Sequence, residues 1–443
     1  MRLKKLVALA LSVIMVFGLV ACGGGTTTTT DPSTEPSAAP SAEPAPGAVE
    51  IELWTYPIGD WGKQAQVEAL TSAFEAETGI KVHVEYLAYA DGDDKVNSAI
   101  AAGQAPDLVM EGPERLVANW GVNGHMVDLS DMLDDTDKAE IQASVLNACT
   151  AADGSVYEYP LVMTAHCMAV NVDAFKAAGA DQYLDLETHT WTTEDFINAV
   201  AALYAHYGQT VGAVYCVGQG GDQGTRALVN NLYGGTFTNA EHTAYTWDDP
   251  LNIQALQQLK DMDGIAYDAS IAGGDEIALF YQGVLKMAFC WNIAQQLNPN
   301  QADTGAGLTM NGEEIAFMSF PSETGESQLQ GGIWGFGVFD NGDDAKAEAS
   351  KRFIAFICDD PEWGPKSVVQ TGAFPVRASF GNLYEGNEEM SLLASWSQYY
   401  GPYYNTRAGF AAMRPLWFNM LQQVFNGTPA QEAADAFNTG ANA

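Results

Sequence analysis

EIELWTYPIGDWGKQAQVEALTSAFEAETGIKVHVEY, residues 50–86, decides the fold class. Glu50-Ile51-Glu52-Leu53-Trp54 alternates apolar and polar residues and reads as a strand. Residues 63–78 then carry Val67, Leu70 and Phe74 on one helical face and stop at Gly79. Alternation returns at Ile80, Val82, Val84 and Tyr86. Strand, helix and strand at this spacing form a βαβ unit, which predicts a parallel sheet covered by helices. Residues 93–103, with Val96, Ala99 and Ile100, predict a further helix, and Pro106–Met110 a strand after it. The fold class is α/β. Farther along, Thr193-Glu194-Asp195 is read as the cap of a helix carrying Phe196, Val200 and Leu203, and residues 251–263 carry another. Met413, Leu416, Trp417, Met420, Leu421, Val424 and Phe425 fall at helical spacing near the end. Thr428-Pro429-Ala430-Gln431 opens a last helix with proline at its first position, so the C-terminus is helical. There is no internal repeat of solenoid length.

Upstream of the sheet the pattern changes. Met1-Arg2-Leu3-Lys4-Lys5 is basic, and Leu6–Ala21 is largely apolar, as in a secretory signal peptide. That run is short of the ~20 residues a membrane-spanning helix needs. Leu19-Val20-Ala21-Cys22 resembles the lipobox of bacterial lipoproteins. The resemblance implies that residues 1–21 are removed and that Cys22 carries lipid; a chance or buried cysteine after an ordinary signal is the other reading. Residues 22–47 are rich in Thr, Pro, Ser and Gly and predict an extended, mobile linker. The expected place is the extracellular face of a bacterial cell membrane, anchored through Cys22.

The formal charge of the whole chain is −37. Loss of Arg2, Lys4 and Lys5 with the leader takes it to −40, which excludes nucleic acid and anionic lipid surfaces as partners. Cys149, Cys167, Cys216, Cys290 and Cys358 are odd in number and widely spaced, so a disulfide framework is not expected, and most read as core residues. A body of nearly 400 residues with 11% aromatics exceeds one ordinary core, and two lobes are expected.

Catalytic signatures are absent: the chain has no G-x-S-x-G, H-E-x-x-H, C-x-x-C or G-x-x-x-x-G-K-[ST]. Gly218–Gly224 (GQGGDQG) misses the dinucleotide fingerprint because its third glycine comes one residue late. The histidines His83, His125, His166, His189, His206 and His242 lack ligand spacing, so no metal and no cofactor are expected. Asp91, Asp93 and Asp94, or Asp340, Asp343 and Asp344, lack the glycine and distal glutamate of a calcium loop and read as turns or caps. What the chain offers is aromatic residues in turn-like places: Trp54, Tyr56 and Trp61 around the first strand's end, then Trp120, Trp247, Trp291 and Trp334. Core packing accounts for any one ring. As a group they suit sugars, since indole and phenol faces match C–H surfaces and α/β ligands bind at strand carboxyl ends.

Several stretches, in order, resemble the extracellular solute-binding lipoproteins of carbohydrate ABC importers, relatives of maltose-binding protein. They are Phe74–Val82 (FEAETGIKV), Ile100–Asp107 (IAAGQAPD), Gly154–Pro160 (GSVYEYP), Ala169-Val170-Asn171 with Phe175–Gly179 (FKAAG), Gly283–Ala288 (GVLKMA) and Thr371–Arg377 (TGAFPVR). The resemblance spans about residues 50–440. The crossover departs from it, with Met168-Ala169 where a tyrosine usually precedes the asparagine. The resemblance implies a two-lobe periplasmic-binding-protein-like fold with a hinge and an interlobe cleft. By analogy, lobe one is residues 48–160 plus 322–370 and lobe two is 161–321 plus 371–443. It also implies a monomer that closes on a sugar or oligosaccharide and delivers it to ABC permease subunits, with no bond broken. The contact residues it implies are Tyr56, Trp61, Glu111, Thr164, His166, Trp291, Asn292, Trp334 and Arg377. Glu111 reads equally as a solvated loop carboxylate, and Arg377 as an internal ion-pair partner. A surface glycoside hydrolase, or a binding protein for a polyamine, a peptide or a metal chelate, are the alternatives.

Overall fold

β1 (Glu50–Thr55) leads through the helix Gln64–Thr78 to β2 (Lys81–Tyr86). Val67, Leu70 and Phe74 are buried, and Gly79 ends the helix at φ 74°, a left-handed turn that a side chain would strain. β1 pairs in parallel with β2 and with β3 (Leu108–Glu111), which follows the helix Gly92–Ala101. The computed structural model describes residues 49–89, 91–218, 221–240, 243–297, 305–328, 331–396, 406–407 and 409–443. The leader at 1–21, Cys22 and the linker at 22–47 lie outside the described residues. Contacts separate Met1–Pro46 from Gly47–Ala443, and all that follows concerns the second unit.

The first sheet is mixed rather than parallel, which corrects the reading from residues 50–86. Its order is β11-β4-β10-β3-β1-β2, where β4 is Tyr159–Ala165, β10 Gly331–Val338 and β11 Phe374–Pro375. β10 runs antiparallel to both β3 and β4, and β11 antiparallel to β4. These strands come from distant sequence without a crossover helix of their own, so the local βαβ pattern carries no sign of them.

The chain leaves this sheet at the end of β4. Only His166 separates it from β5 (Cys167–Asn171), the middle of a second sheet ordered β8-β5-β9, with β8 Met287–Trp291 and β9 Ile315–Met318. β6 (Gly212–Tyr215) and β7 (Ile265–Asp268) pair in parallel nearby. One core gathers side chains of β1, β2, β3, β10 and the helix Asp344–Cys358. Another gathers those of β5, β6 and the helices Thr193–Tyr207, Asp222–Tyr233, Pro250–Asp261 and Phe410–Phe425. At its centre Trp247 and Trp417 lie 4.3 Å apart, with Phe237 4.8 Å from Trp247. Cys149, Cys167, Cys216 and Cys358 are buried, Cys290 is half-buried, and all five are free thiols. No helix among the described residues is long and apolar enough to cross a membrane.

Two helix starts differ by one residue from the sequence reading. Thr192, not Thr193, is the cap: its hydroxyl accepts from the Asp195 amide at 3.1 Å while the Asp195 carboxylate accepts from the Thr192 amide at 3.2 Å. The last helix, Ala430–Ala441, begins after Pro429, which is extended and caps it with no side-chain bond. The Pro429 carbonyl takes the first helical bond, from Ala433, so Thr428 stays outside.

Gly335 marks the irregularity where β10 shifts register against β4. A Cβ there would fall onto the Tyr159 carbonyl oxygen. Since neither strand can retreat without losing its ladder, Gly335→Ala is expected to cost about 1–3 kcal/mol, read as a lower urea midpoint at unchanged slope. An unshifted midpoint contradicts this.

Candidate functional site

A cavity of about 580 Å³ opens where the two sheets approach, at the carboxyl ends of β1, β2, β3, β4 and β8 and beside the amino ends of β5 and β11. Pro57–Gly59 follow β1, Tyr89 follows β2, and Glu111, Glu114 and Arg115 end β3 and the turn beyond it. Trp334 comes from β10, and Thr371–Ala373 lead into β11. The other wall takes Val217, Gly218, Gly221 and Gln223 from the passage after β6, and Ala272–Gly274 from that after β7. Cys290, Asn292, Ile293 and Gln295 surround the end of β8, and Arg414 reaches in from the helix Phe410–Phe425. Thr164 and His166 stand at the passage between β4 and β5.

Arg115 organises the first wall. Its side chain is 2% exposed; Nε donates to Asp93 Oδ1 at 2.6 Å, Nη1 pairs with Glu111 Oε1, and Glu114 lies 3.9 Å away. The guanidinium sits over the rings of Tyr56 and Tyr89, at 5.2 and 5.7 Å from their centroids. Tyr56 is buried, donates to Asp93 Oδ1 at 2.6 Å and stacks on Tyr89 at 5.1 Å. Tyr89 therefore faces the cavity from a braced position. Glu111 Oε2 is buried and has no hydrogen-bond partner among the described residues. Burial pushes the Glu111 carboxyl up to about 8; Arg115 opposes the rise, while Glu114 and Asp93 add to it.

Asp222 organises the second wall from the first position of the helix Asp222–Tyr233, where a carboxylate suits the helix dipole. One oxygen accepts from Arg414 Nε at 2.8 Å and the other pairs with Arg226 Nε at 2.8 Å. Burial would raise the Asp222 pKa, but Arg414 and Arg226 outweigh it and hold the value at about 2. Burial and the Arg226 charge bring His166 down to about 4, so its imidazole is neutral at pH 7. Thr164 Oγ1, His166 Nε2 and Gln223 Oε1 are buried with no partner among the described residues. Along β10, Gly332 leaves the space that lets the Trp334 indole lie back over the strand: a Cβ there would meet the ring's far edge at 2.7 Å or closer.

Five of the residues singled out from sequence line this cavity: Glu111, Thr164, His166, Asn292 and Trp334. Four do not. Tyr56 lies behind Tyr89. Trp61 is packed edge-on against Phe336 at 5.4 Å and donates to the Ser367 carbonyl at 3.4 Å. Trp291 is 1% exposed, wedged between Phe280 and Tyr281, and donates to Gln296 Oε1 at 3.2 Å. Arg377 pairs with Asp359 at 2.5 Å and Asp137 at 2.9 Å and donates to the Tyr159 hydroxyl at 2.7 Å; it borders a separate cavity of about 460 Å³. Sequence reading missed Tyr89, Glu114, Arg115, Gln223 and Arg414. The strand-end rule that picked out Tyr56 would have reached Tyr89 just past β2, and the glycine run at 218–224 holds Gln223. Nothing local marks Arg414.

Comparison with known proteins supplies the family. Residues 69–390 match the family described as bacterial extracellular solute-binding protein. A maltooligosaccharide ABC transporter solute-binding lipoprotein of Streptococcus pneumoniae (strain R6) is 27% identical over 310 residues, covering 60% of this chain and 67% of that one. The GacH receptor of Streptomyces glaucescens, solved unliganded and with acarbose, superposes with TM-score 0.71 at 18% identity, over 88% of this chain and 97% of that one. An ABC substrate-binding protein from Listeria monocytogenes in complex with cycloalternan gives TM-score 0.72 at 19% identity, over 89% and 98%. These structures share the two-lobe α/β fold.

The two unusual titrations act at different pH. A glutamate in an unfolded chain titrates near 4.5, so up to about 8 the folded state keeps a proton on Glu111 that the unfolded chain has lost, and stability falls as pH rises. His166 acts oppositely and only below about 6.5, where the unfolded chain takes up a proton first. Glu276, also raised to about 8, adds its share to the upper window. Between pH 6.5 and 8 the protein is therefore expected to lose stability to urea, and Glu111→Gln to reduce that loss by on the order of 1 kcal/mol. Identical losses in the two proteins rule this out.

Proposed function

The chain belongs to the family of bacterial extracellular solute-binding proteins, and within it we propose that this chain captures a sugar or oligosaccharide in the 580 Å³ cavity. It then hands the ligand to an ABC permease with no bond broken. The observation that carries this reading is the wall itself. Glu111 Oε2, Thr164 Oγ1, His166 Nε2 and Gln223 Oε1 are buried without partners among the described residues, beside the half-buried rings of Tyr89 and Trp334. A buried polar atom left unpaired costs roughly 1–3 kcal/mol, a cost that ligand hydroxyls would offset. Aromatic faces with a few fixed polar atoms suit pyranose rings. The names of the curated relatives support the same ligand class.

The two lobes are read as residues 48–160 plus 322–370 and 161–321 plus 371–443, with 161–165 and 374–375 serving the first sheet while connecting to the second. Lobe closure on the ligand, a hinge between the sheets, a monomeric state and anchorage through lipid on Cys22 complete the proposal. A hydrolase is the weaker reading. Among the described residues, the carboxylates lining the cavity, Glu111 at the end of β3 and Glu114 just after it, stand on one wall, whereas glycoside hydrolysis needs a pair flanking the scissile bond.

A thermal-shift screen of residues 47–443 against mono- and oligosaccharides, with polyamines and peptides beside them, tests the assignment. A ligand at 100 times its Kd adds about 2.7 kcal/mol of stability. The expected result is a saturable shift by one glycan type that is recovered intact, weakened about tenfold, or on the order of 1.5 kcal/mol, by Trp334→Ala. Shortened glycan would give the case to the hydrolase, and a shift with polyamine alone would overturn the sugar.

A further inference from the structure

We propose that the glycan bound here is acidic, a uronic-acid sugar whose carboxylate seats on the outer edge of Arg414. The inference rests on the sugar-binding reading and deepens it. Two guanidiniums share one carboxylate on the second wall: Asp222 pairs with Arg226 Nε through one oxygen and accepts from Arg414 Nε through the other, both at 2.8 Å. The two also lie over one face of aromatic carbon, the Phe410 ring, at 5.1 and 5.4 Å. Arg226 is wholly buried, whereas Arg414 lines the cavity and is 4% exposed. Among the described residues Asp222 is the one ion-pair partner of Arg414, and it is met through Nε, so the Nη edge is unspent.

Charge and geometry favour a carboxylate over a hydroxyl in that place. Arginine keeps its proton when buried, so two positive charges meet one negative charge here, and His166, neutral at pH 7, leaves the surplus at one. A buried charge is stable only when matched. A sugar hydroxyl would take a hydrogen bond from Arg414 and leave the charge standing. Nη1 and Nη2 instead present two parallel donors, the fork that a carboxylate accepts with both oxygens through charge-assisted bonds. Thr164 and Gln223 add a hydroxyl and an amide donor to the same lining. A surplus of one suits a single charge rather than a phosphate dianion beside Asp222. The first wall sets the direction. There Asp93 and Glu114 outnumber Arg115, while Glu111 keeps a proton up to about 8. The cavity is therefore polarised, and the acid end lies on Arg414 with the ring hydroxyls toward Glu111. The net charge of −37 opposes approach only at long range, where salt screens it beyond about 10 Å.

Calorimetry at pH 7 on residues 47–443 tests this with the uronates of glucose, galactose and mannose, as monomers and short oligomers. Each is run beside its neutral parent sugar, its methyl ester and, for the monomers, the 6-phosphate. In the unaltered protein one uronate is expected to bind at least tenfold more tightly than its neutral parent and than its ester, which keeps the shape without the charge. Arg414→Gln, checked for folding by its urea midpoint, is expected to bring that ratio to threefold or less; because a ratio is compared, a general loss of binding cancels. Should the variant not fold, the ester comparison decides alone. A neutral parent or an ester that binds as tightly as the uronate, or a ratio that survives Arg414→Gln, overturns the proposal and leaves the sugar reading standing. A 6-phosphate that binds more tightly than every uronate overturns the choice of carboxylate. Binding of no sugar of any kind overturns the sugar reading and this inference with it.

Discussion

The binding wall depends on one buried cation. The Arg115 guanidinium is the only positive group within a direct ion pair of Asp93, Glu111 and Glu114 among the described residues. Removing one partner of a buried pair costs on the order of 3–5 kcal/mol, because a charge is left uncompensated. Here the same group also underlies two tyrosine rings, so the orientation of Tyr89 and the free oxygen of Glu111 both follow from it. Asp222 plays the converse part across the cavity, as one carboxylate held by Arg414 and Arg226. Each wall is thus fixed by a central charge that the ligand never needs to touch. Polar atoms around it are held in place yet left available.

The fold was legible where it is local. Residues 50–86 showed their strand, helix and strand because alternation and helical periodicity are properties of neighbours in sequence. The mixed sheet was not, since β4, β10 and β11 pair across more than a hundred residues and leave no periodic trace of their partners. Residues 410–425 read as a helix for the same local reason, whereas the aim of Arg414 into the cavity depends on where that helix packs.

The candidate site divided along a similar line. Glu111, Thr164, His166 and Asn292 stand where strands end or cross, positions that topology alone carries to a cleft, while Trp334 reaches it from within β10. Trp61, Trp291 and Arg377 were equally prominent in sequence, yet burial turned them inward: the two indoles fill cores, and the guanidinium ties Tyr159 to Asp359 and Asp137. Large aromatic and cationic residues are chosen both for ligands and for interiors, and residue type cannot separate the two. Tyr56 shows the mixed case, a ring that supports the one at the surface.

His166 is the single residue between a strand of the first sheet and the central strand of the second. Whatever inclination the two sheets take, the atoms at such a junction move least, as points near the axle of a turning wheel do. Tyr89 and Arg414 line the cavity from opposite walls, and in the proposed closure they would sweep larger arcs. Under the proposed closure, a molecule seated first against His166 and Thr164 would keep those contacts while the far walls close on its length.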